Sequence, residues 1–326
     1  MSSSGGLLTR PLVVLAGNRT DFRHDVGVKI TTLTSTDAFH VIDIEQAATS
    51  TGIVRWAKKV LVDGASNLAR SITYSYAVFG IEESGASAGI NAAPEGREEA
   101  IARFVEEITP LAAAQTLLLD AGKGVNAEDL ASLVALDQRS SARLTSHDRL
   151  LAASVTGAAG AAITLEGATV CVEDIGAASE AIATSFSGLG ATVTVAPTAE
   201  VLASDADILC IGSKVGLIDH EVAATLHAKL LVPIGPLPVT ARGLAVARRN
   251  GVAVLPDFVT TAGPLLAGQT GQGDPDAIVA TVVERVGSVI SALNDHPDGH
   301  LLGACHLAET FLRTWVAEMP FGRPLA

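Results

Sequence analysis

A two-domain α/β protein, its second domain built on a doubly wound parallel sheet, is what this sequence predicts, and three features carry the prediction. The chain has 326 residues, more than one hydrophobic core usually serves. Its residues are 48% hydrophobic but only 4% aromatic, so the core must be built from Ala, Val, Leu and Ile. Such a core suits parallel strands with helices packed closely on both faces. From Leu165 onward, apolar runs of strand length alternate with helical stretches, the rhythm that right-handed βαβ crossovers require.

The elements follow in order. The first ten residues, "MSSSGGLLTR", lack the basic-then-apolar layout of a signal peptide. "FHVIDIE" (residues 39–45) alternates like a strand. "VDGASNLARSITYSYAVFG" reads as a helix capped by Asp63 and stopped by Gly80. "SGASAGIN" (84–91) then reads as a glycine-rich loop whose backbone must come close to something bound. "EGREEAIARFVEEI" is a second helix with acids in its first turn, where the helix dipole favours them. "TLLLDAG" is a short buried strand, and "NAEDLASLVAL" a capped helix beyond it. Residues 150–165 form an Ala- and Gly-rich apolar run too short to span a bilayer, and a buried helix is expected there.

"ATVCVED", "ATVTVA", "DILCIG", "AKLLVPIG" and "GVAVLPD" are the strands of the second half, with a helix over 177–189 after the first of them. A polar hinge at 271–275 precedes a long helix over 277–293. A last helix over 303–318 places Leu307, Phe311, Leu312 and Trp315 on one face, which must dock. The expected division is 1–147 for substrate binding and dimerisation and 148–295 for a nucleotide. Residues 296–326 then return to the first domain.

The formal net charge of −13 argues against nucleic acid and anionic membranes as partners, since a phosphate-binding surface needs a basic excess. Cys171, Cys210 and Cys305 show no metal or redox spacing. The expectation is therefore no metal site and a reducing, cytoplasmic home.

Five motifs together resemble the glutamate/leucine/phenylalanine/valine dehydrogenases, the leucine-dehydrogenase branch most. "STGIVRW" (50–56) is similar to the family's Gly-Gly-x-Arg entry to the active site. "LARSITYSYAVFGIEESGASAGI" (68–90) resembles its signature helix and glycine-rich loop. "LLLDAGKGVNAEDL" (117–130) resembles the strand that delivers a catalytic aspartate. "LEGATVCVEDIGAAS" (165–179) resembles the cofactor turn, and "LPDFVTTAG" (255–263) the closing strand of the site. The resemblance covers nearly the whole chain. It implies an N-terminal α/β domain that holds the substrate and forms a homodimer or higher homo-oligomer, and a Rossmann-type second domain that holds NAD or NADP. A small molecule would react in the cleft between them, where two lysines and an aspartate handle carboxylate, water and protons.

Several positions depart from that pattern. Ser75 and Ser87 stand where the two lysines belong. Serine is neutral and too short to replace an ammonium, and each lost charge-assisted hydrogen bond is worth about 1.5–3 kcal/mol. Asp120 keeps the aspartate position, either as proton carrier or as a turn residue before Gly122. Lys123 either replaces a lost ammonium or is a solvated turn lysine. Arg55 matches the family arginine or makes a surface ion pair. The resemblance also places Gly85 and Thr261 at the substrate. Glu82 and Glu83, either exposed loop acids or pocket residues, would reverse the sign of the pocket.

In the cofactor turn the resemblance gives Gly176, Ala177, Ala178, Thr198 and Gly212 to the dinucleotide. Asp174, however, puts a carboxylate where the pyrophosphate should lie, or caps the following helix. Pro197 and Thr198 replace the acid that would hold the ribose. Three functions follow: an NAD(P)-dependent oxidoreductase acting on something other than an ordinary α-amino acid, a lyase, isomerase or hydrolase in the same cleft without the nucleotide, or a non-catalytic binder. The first is the expectation carried forward.

Overall fold

The computed structural model describes residues 28–271, 273–319 and 322–326; the "MSSSGGLLTR" start and part of the 271–275 hinge lie outside them. Two five-stranded sheets organise the chain. The first contains β1 (Lys29–Thr32), β2 (Ala38–Ile42), β3 (Ser50–Ala57), β4 (Ser84–Asn91) and β5 (Leu117–Ala121), in the order β1-β2-β4-β3-β5. Its β3, β4 and β5 run parallel, whereas β2 is antiparallel to both β1 and β4. Helix α1 (Val62–Val78) covers one face and α2 (Arg97–Ala113) the other.

The stretch "SGASAGIN" is therefore not a loop. It is β4, a buried interior strand of the first sheet. Alternation explains its composition. Ala86, Ala88 and Ile90 face α2 and pack with Phe104 and Ile108, while Gly85 faces α1. An added Cβ at Gly85 would fall inside the carbonyl of Ala69. The small residues bring a helix onto the strand, not a ligand onto a loop.

Helix α1 also differs from expectation at its start. Its N-cap is Leu61, without a side-chain cap, and Asp63 sits in the first turn. Its end is as read: Gly80 takes φ +70, and Ile81 N–H closes onto the Tyr76 carbonyl at 3.1 Å.

Helices α3 (Ala131–Leu136), α4 (Ala142–Thr145) and α5 (His147–Ala162) lead to the second sheet. There β6 (Thr169–Glu173), α6 (Ala177–Gly188), β7 (Thr192–Ala196), α7 (Thr198–Leu202), β8 (Ile208–Ile211), α8 (His220–Thr225), β9 (Leu230–Pro233), α9 (Ala241–Arg249) and β10 (Ala253–Val254) alternate strictly. All five strands are parallel, in the order β10-β9-β8-β6-β7. This is the doubly wound, Rossmann-like sheet, and its direction of winding reverses between β6 and β8. Short helices α10 (Asp257–Thr260) and α11 (Gly263–Gly268) precede α12 (Pro275–Ser291), whose N-cap Asp274 accepts the Asp276 N–H.

The last helix, α13 (Gly299–Leu312), packs back onto α1, and Tyr74 Oη donates to Glu309 at 3.2 Å. It starts earlier than expected and ends at Leu312. Its docked side carries Leu301, Ala304, Cys305, Ala308 and Leu312, whereas Leu307 is 42% exposed. Among the described residues no helix is long and apolar enough to cross a membrane.

Candidate functional site

Two cavities open between the sheets. The first, about 330 Å³, lies between β3 and α1 on one side and the loops after β9 and α10 on the other. Its wall is largely apolar, through Ile53, Leu68, Ile72, Leu144, Leu151 and Ile234. Thr51, Ser71, Ser75 and Thr261 add hydroxyls, and Asp120, Arg139, Arg143 and His147 add charge or a titratable ring. Of the residues expected at the substrate, this cavity brings together Ser75, Asp120 and Thr261.

Asp120 ends β5 in the middle of an ion cluster that sequence reading missed. Arg139 donates to both of its oxygens, at 3.2 and 3.1 Å, and Arg143 Nε approaches at 3.2 Å. The same two guanidinium groups hold Asp137, at 2.6 and 2.7 Å. Burial alone would push the Asp137 pKa up. The hydrogen bonds and charge of Arg139, with Arg143 behind them, outweigh burial and hold it below its ordinary value. Two acids and two bases thus neutralise one another around Asp120. The signal was present in the sequence. Arg139, Arg143 and His147 follow one another at intervals of four, just before, within and after the short helix α4.

The hydroxyls are oriented too. Ser75 Oγ donates to the Ser71 carbonyl at 3.2 Å, and Thr261 Oγ1 to the Asp257 carbonyl at 2.8 Å. With their protons used inside their own helices, both oxygens offer lone pairs to the cavity. Beneath them Asp257, fully buried, accepts from Ser71 Oγ at 3.2 Å and from Leu237 N–H at 2.9 Å. Burial raises its pKa to about 6.

The remaining substrate candidates lie elsewhere. Ser87 sits inside β4, its Oγ buried without a partner among the described residues, and Gly85 lies under α1. Glu82 is exposed. Glu83 accepts from Thr51 at 3.2 Å and from Gln269 at 2.8 Å. None of these four lines the first cavity, although Glu83 is bonded to Thr51 of its wall. Arg55 and Lys123 line a second cavity, with Lys214. Lys123 thus stands apart from Asp120's cavity.

The cofactor crevice belongs at the carboxyl ends of β6 and β8, where the winding reverses. Here that point holds a protein carboxylate. Glu173, buried at the end of β6, accepts Gly212 N–H at 2.7 Å, Ser213 N–H at 2.9 Å, and the hydroxyls of Thr198 and Ser213. Burial pushes its pKa up, but these donors prevail and leave it below the usual carboxylate value. Thr198 and Gly212 are thus gathered at the crevice, bonded to Glu173. Next to it, Asp174 Oδ1 takes the Gly176 N–H at 3.0 Å. Gly176, at φ +96, is itself the N-cap of α6, with Ala177 and Ala178 opening the helix. Asp174 is therefore not the cap residue but occupies the turn's first N–H. The Gly176 N–H and the donors of Thr198, Gly212 and Ser213 thus already hold carboxylates, and two negative groups stand at the turn where a pyrophosphate would lie.

Away from the cleft, ligand atoms of His296, Asp298 and His306 lie within 4.8 Å of one another, an arrangement the sequence spacing did not announce. Asp298 also faces Arg248, at 3.8 Å.

No protein-family model matches the sequence, and no curated protein matches it. Solved structures do match by shape. A hetero-hexameric glutamate dehydrogenase from Thermus thermophilus, in a leucine-bound form, is 20% identical, with 87% of this chain covering 88% of that one at a TM-score of 0.71. An L-tryptophan dehydrogenase from Nostoc punctiforme is 16% identical over 88% of this chain and 95% of its own, at 0.65. A glutamate dehydrogenase from Peptoniphilus asaccharolyticus is 16% identical over 88% and 91%, also at 0.65. The chain has the two-domain fold of the amino-acid dehydrogenases.

Proposed function

We propose that this dehydrogenase-fold protein binds a small, uncharged, largely apolar molecule bearing N–H or O–H donors in the first cavity, and does so without a nicotinamide dinucleotide. One observation carries the reading: every charge lining the cavity is settled within the Asp120–Asp137–Arg139–Arg143 cluster, while Ser75 and Thr261 present acceptors. In this reading Ser75 and Ser87 stand where the dehydrogenases place their lysines, so a substrate carboxylate would find no ammonium. Of the three functions weighed from sequence, this favours chemistry or binding without the nucleotide over NAD(P)-dependent oxidation. Any chemistry in the cavity would then be a lyase, isomerase or hydrolase step, with His147, whose Nδ1 meets Asp148 at 3.0 Å, at its wall.

We also place the protein in a reducing compartment, the cytoplasm, because its three cysteines are free thiols. Assembly as a homodimer or larger homo-oligomer is supported by the outer edge of β1, which has no strand partner among the described residues.

A thermal-shift screen sorted by ligand charge tests the function. Amides, uncharged amines and alcohols should dominate the stabilising hits. A set led by amino acids and other carboxylates would overturn it, as would deamination of leucine, valine, phenylalanine or glutamate at about 1–10³ per second.

A further inference from the structure

The second cavity, about 400 Å³, shares Ile53, Leu68 and Pro236 with the first, across which the two meet. Its lining has the opposite character. Arg55 from β3, Lys123 from the turn after β5 and Lys214 from the loop after β8 all face it, and no carboxylate lines it. None of these three cations has a carboxylate partner among the described residues. Arg55 is the telling one. Its Nε and Nη2 are buried and make no hydrogen bond, and burial lowers its pKa for want of an opposing charge. A desolvated guanidinium left unpaired is costly, so an anion in the cavity that draws the Arg55 side chain toward it would relieve that cost.

We propose that this cavity is an oxyanion site, in which Arg55, Lys123 and Lys214 hold the dianionic phosphate group of a small phosphorylated molecule. Lys123 and Lys214 are exposed and Arg55 is half-buried; even with Glu173 held by Gly212 and Ser213 of the same wall, the positive excess suits a dianion. The volume exceeds that of a bare phosphate ion and leaves room for an organic remainder. Arg55 and Lys123 come from the first sheet and Lys214 from the second, so the bound anion ties the two halves together across the cleft.

The inference does not rest on the proposed function, because a first cavity that fails the neutral-ligand screen leaves the second unchanged. Calorimetric titration and thermal melts with inorganic phosphate and with phenyl phosphate, each at several controlled ionic strengths, test it. Both should bind saturably. Tighter binding of phenyl phosphate supports a phosphomonoester, whereas equal or weaker binding overturns the organic remainder and leaves free phosphate as the ligand. Arg55→Met should weaken phosphate at least ~10-fold while its unliganded melting temperature stays level or rises, since an unpaired buried charge is gone. Lys123→Gln and Lys214→Gln should each weaken it several-fold and lessen its salt dependence. If Arg55→Met does not fold, Arg55→Lys, which keeps the charge and loses the fork, should weaken binding instead. No saturable binding by the wild type, or unchanged affinity in the arginine or both lysine variants, would overturn the site.

Discussion

The first cavity and the β6–β8 crevice are the two places where this fold would be expected to hold its small molecules, and they treat carboxylates in opposite ways. In the cavity, Asp120 and Asp137 are answered by guanidinium groups, and the balance is local neutrality. In the crevice, Glu173 and Asp174 are answered only by N–H and hydroxyl groups, without a cation. A carboxylate held by neutral donors can have a low pKa and keep its full negative charge. The same fold thus leaves one site neutral and open, and the other negative and occupied by its own side chain. Sheet topology chooses where ligands can lie; side-chain charge decides which ones do.

The largest effect comes from breaking the neutral cluster. Arg143→Met removes a guanidinium whose side chain is 3% exposed and leaves Asp137 and Asp120 under-compensated. Loss of one partner of a buried pair costs about 3–5 kcal/mol, which urea unfolding would measure. A loss under ~1 kcal/mol would mean that the cluster is solvated and the cavity's neutrality is not built in.

How much of this was readable beforehand differs between the two halves of the molecule. The alternation of short Val- and Ile-rich strands with helices revealed the second sheet, because parallel strands buried on both faces leave little else in their sequence. β4 was misread for a local reason: glycines and serines signal loops when close approach is to a ligand, but here the approach is to α1. The motifs named Asp120, Ser75 and Thr261, and the three line one cavity. Arg139, Arg143 and Glu173 were not singled out. Asp137 is local to both arginines, but Asp120 and the donors to Glu173 come from distant parts of the chain, and no local pattern encodes a partner across a fold.

A second test acts on the crevice. Glu173→Gln keeps the shape but sets an amide donor against four donors, and should cost about 2 kcal/mol near neutral pH. The folded pKa of Glu173 lies below its unfolded value, so its stabilisation is present above roughly pH 4 and is lost as pH falls through the folded pKa. Wild type and variant should therefore converge in acid. A gap that persists at pH 2.5 would locate the effect in shape and not in charge.

The smallest effect belongs to Asp257 under the cavity floor. Its folded pKa of about 6 is above its unfolded value. Between roughly pH 4 and 6 the folded state binds more protons, and stability falls as pH rises through that window. Two units correspond to about 3 kcal/mol, of which the amide donors of Asn forfeit part. Asp257→Asn should gain about 1 kcal/mol at pH 7 and flatten that slope; an unchanged slope would assign it to other groups.

Everything turns on whether the crevice excludes a dinucleotide, and NADH and NADPH fluorescence titrations of the wild-type protein ask that directly. The expected result is no saturable binding of either up to ~1 mM, with measurable binding gained on Asp174→Gly and the gap between variant and wild type narrowing as salt screens the Asp174 repulsion. Saturable micromolar binding by the wild type would contradict the account and restore an NAD(P)-dependent oxidoreductase.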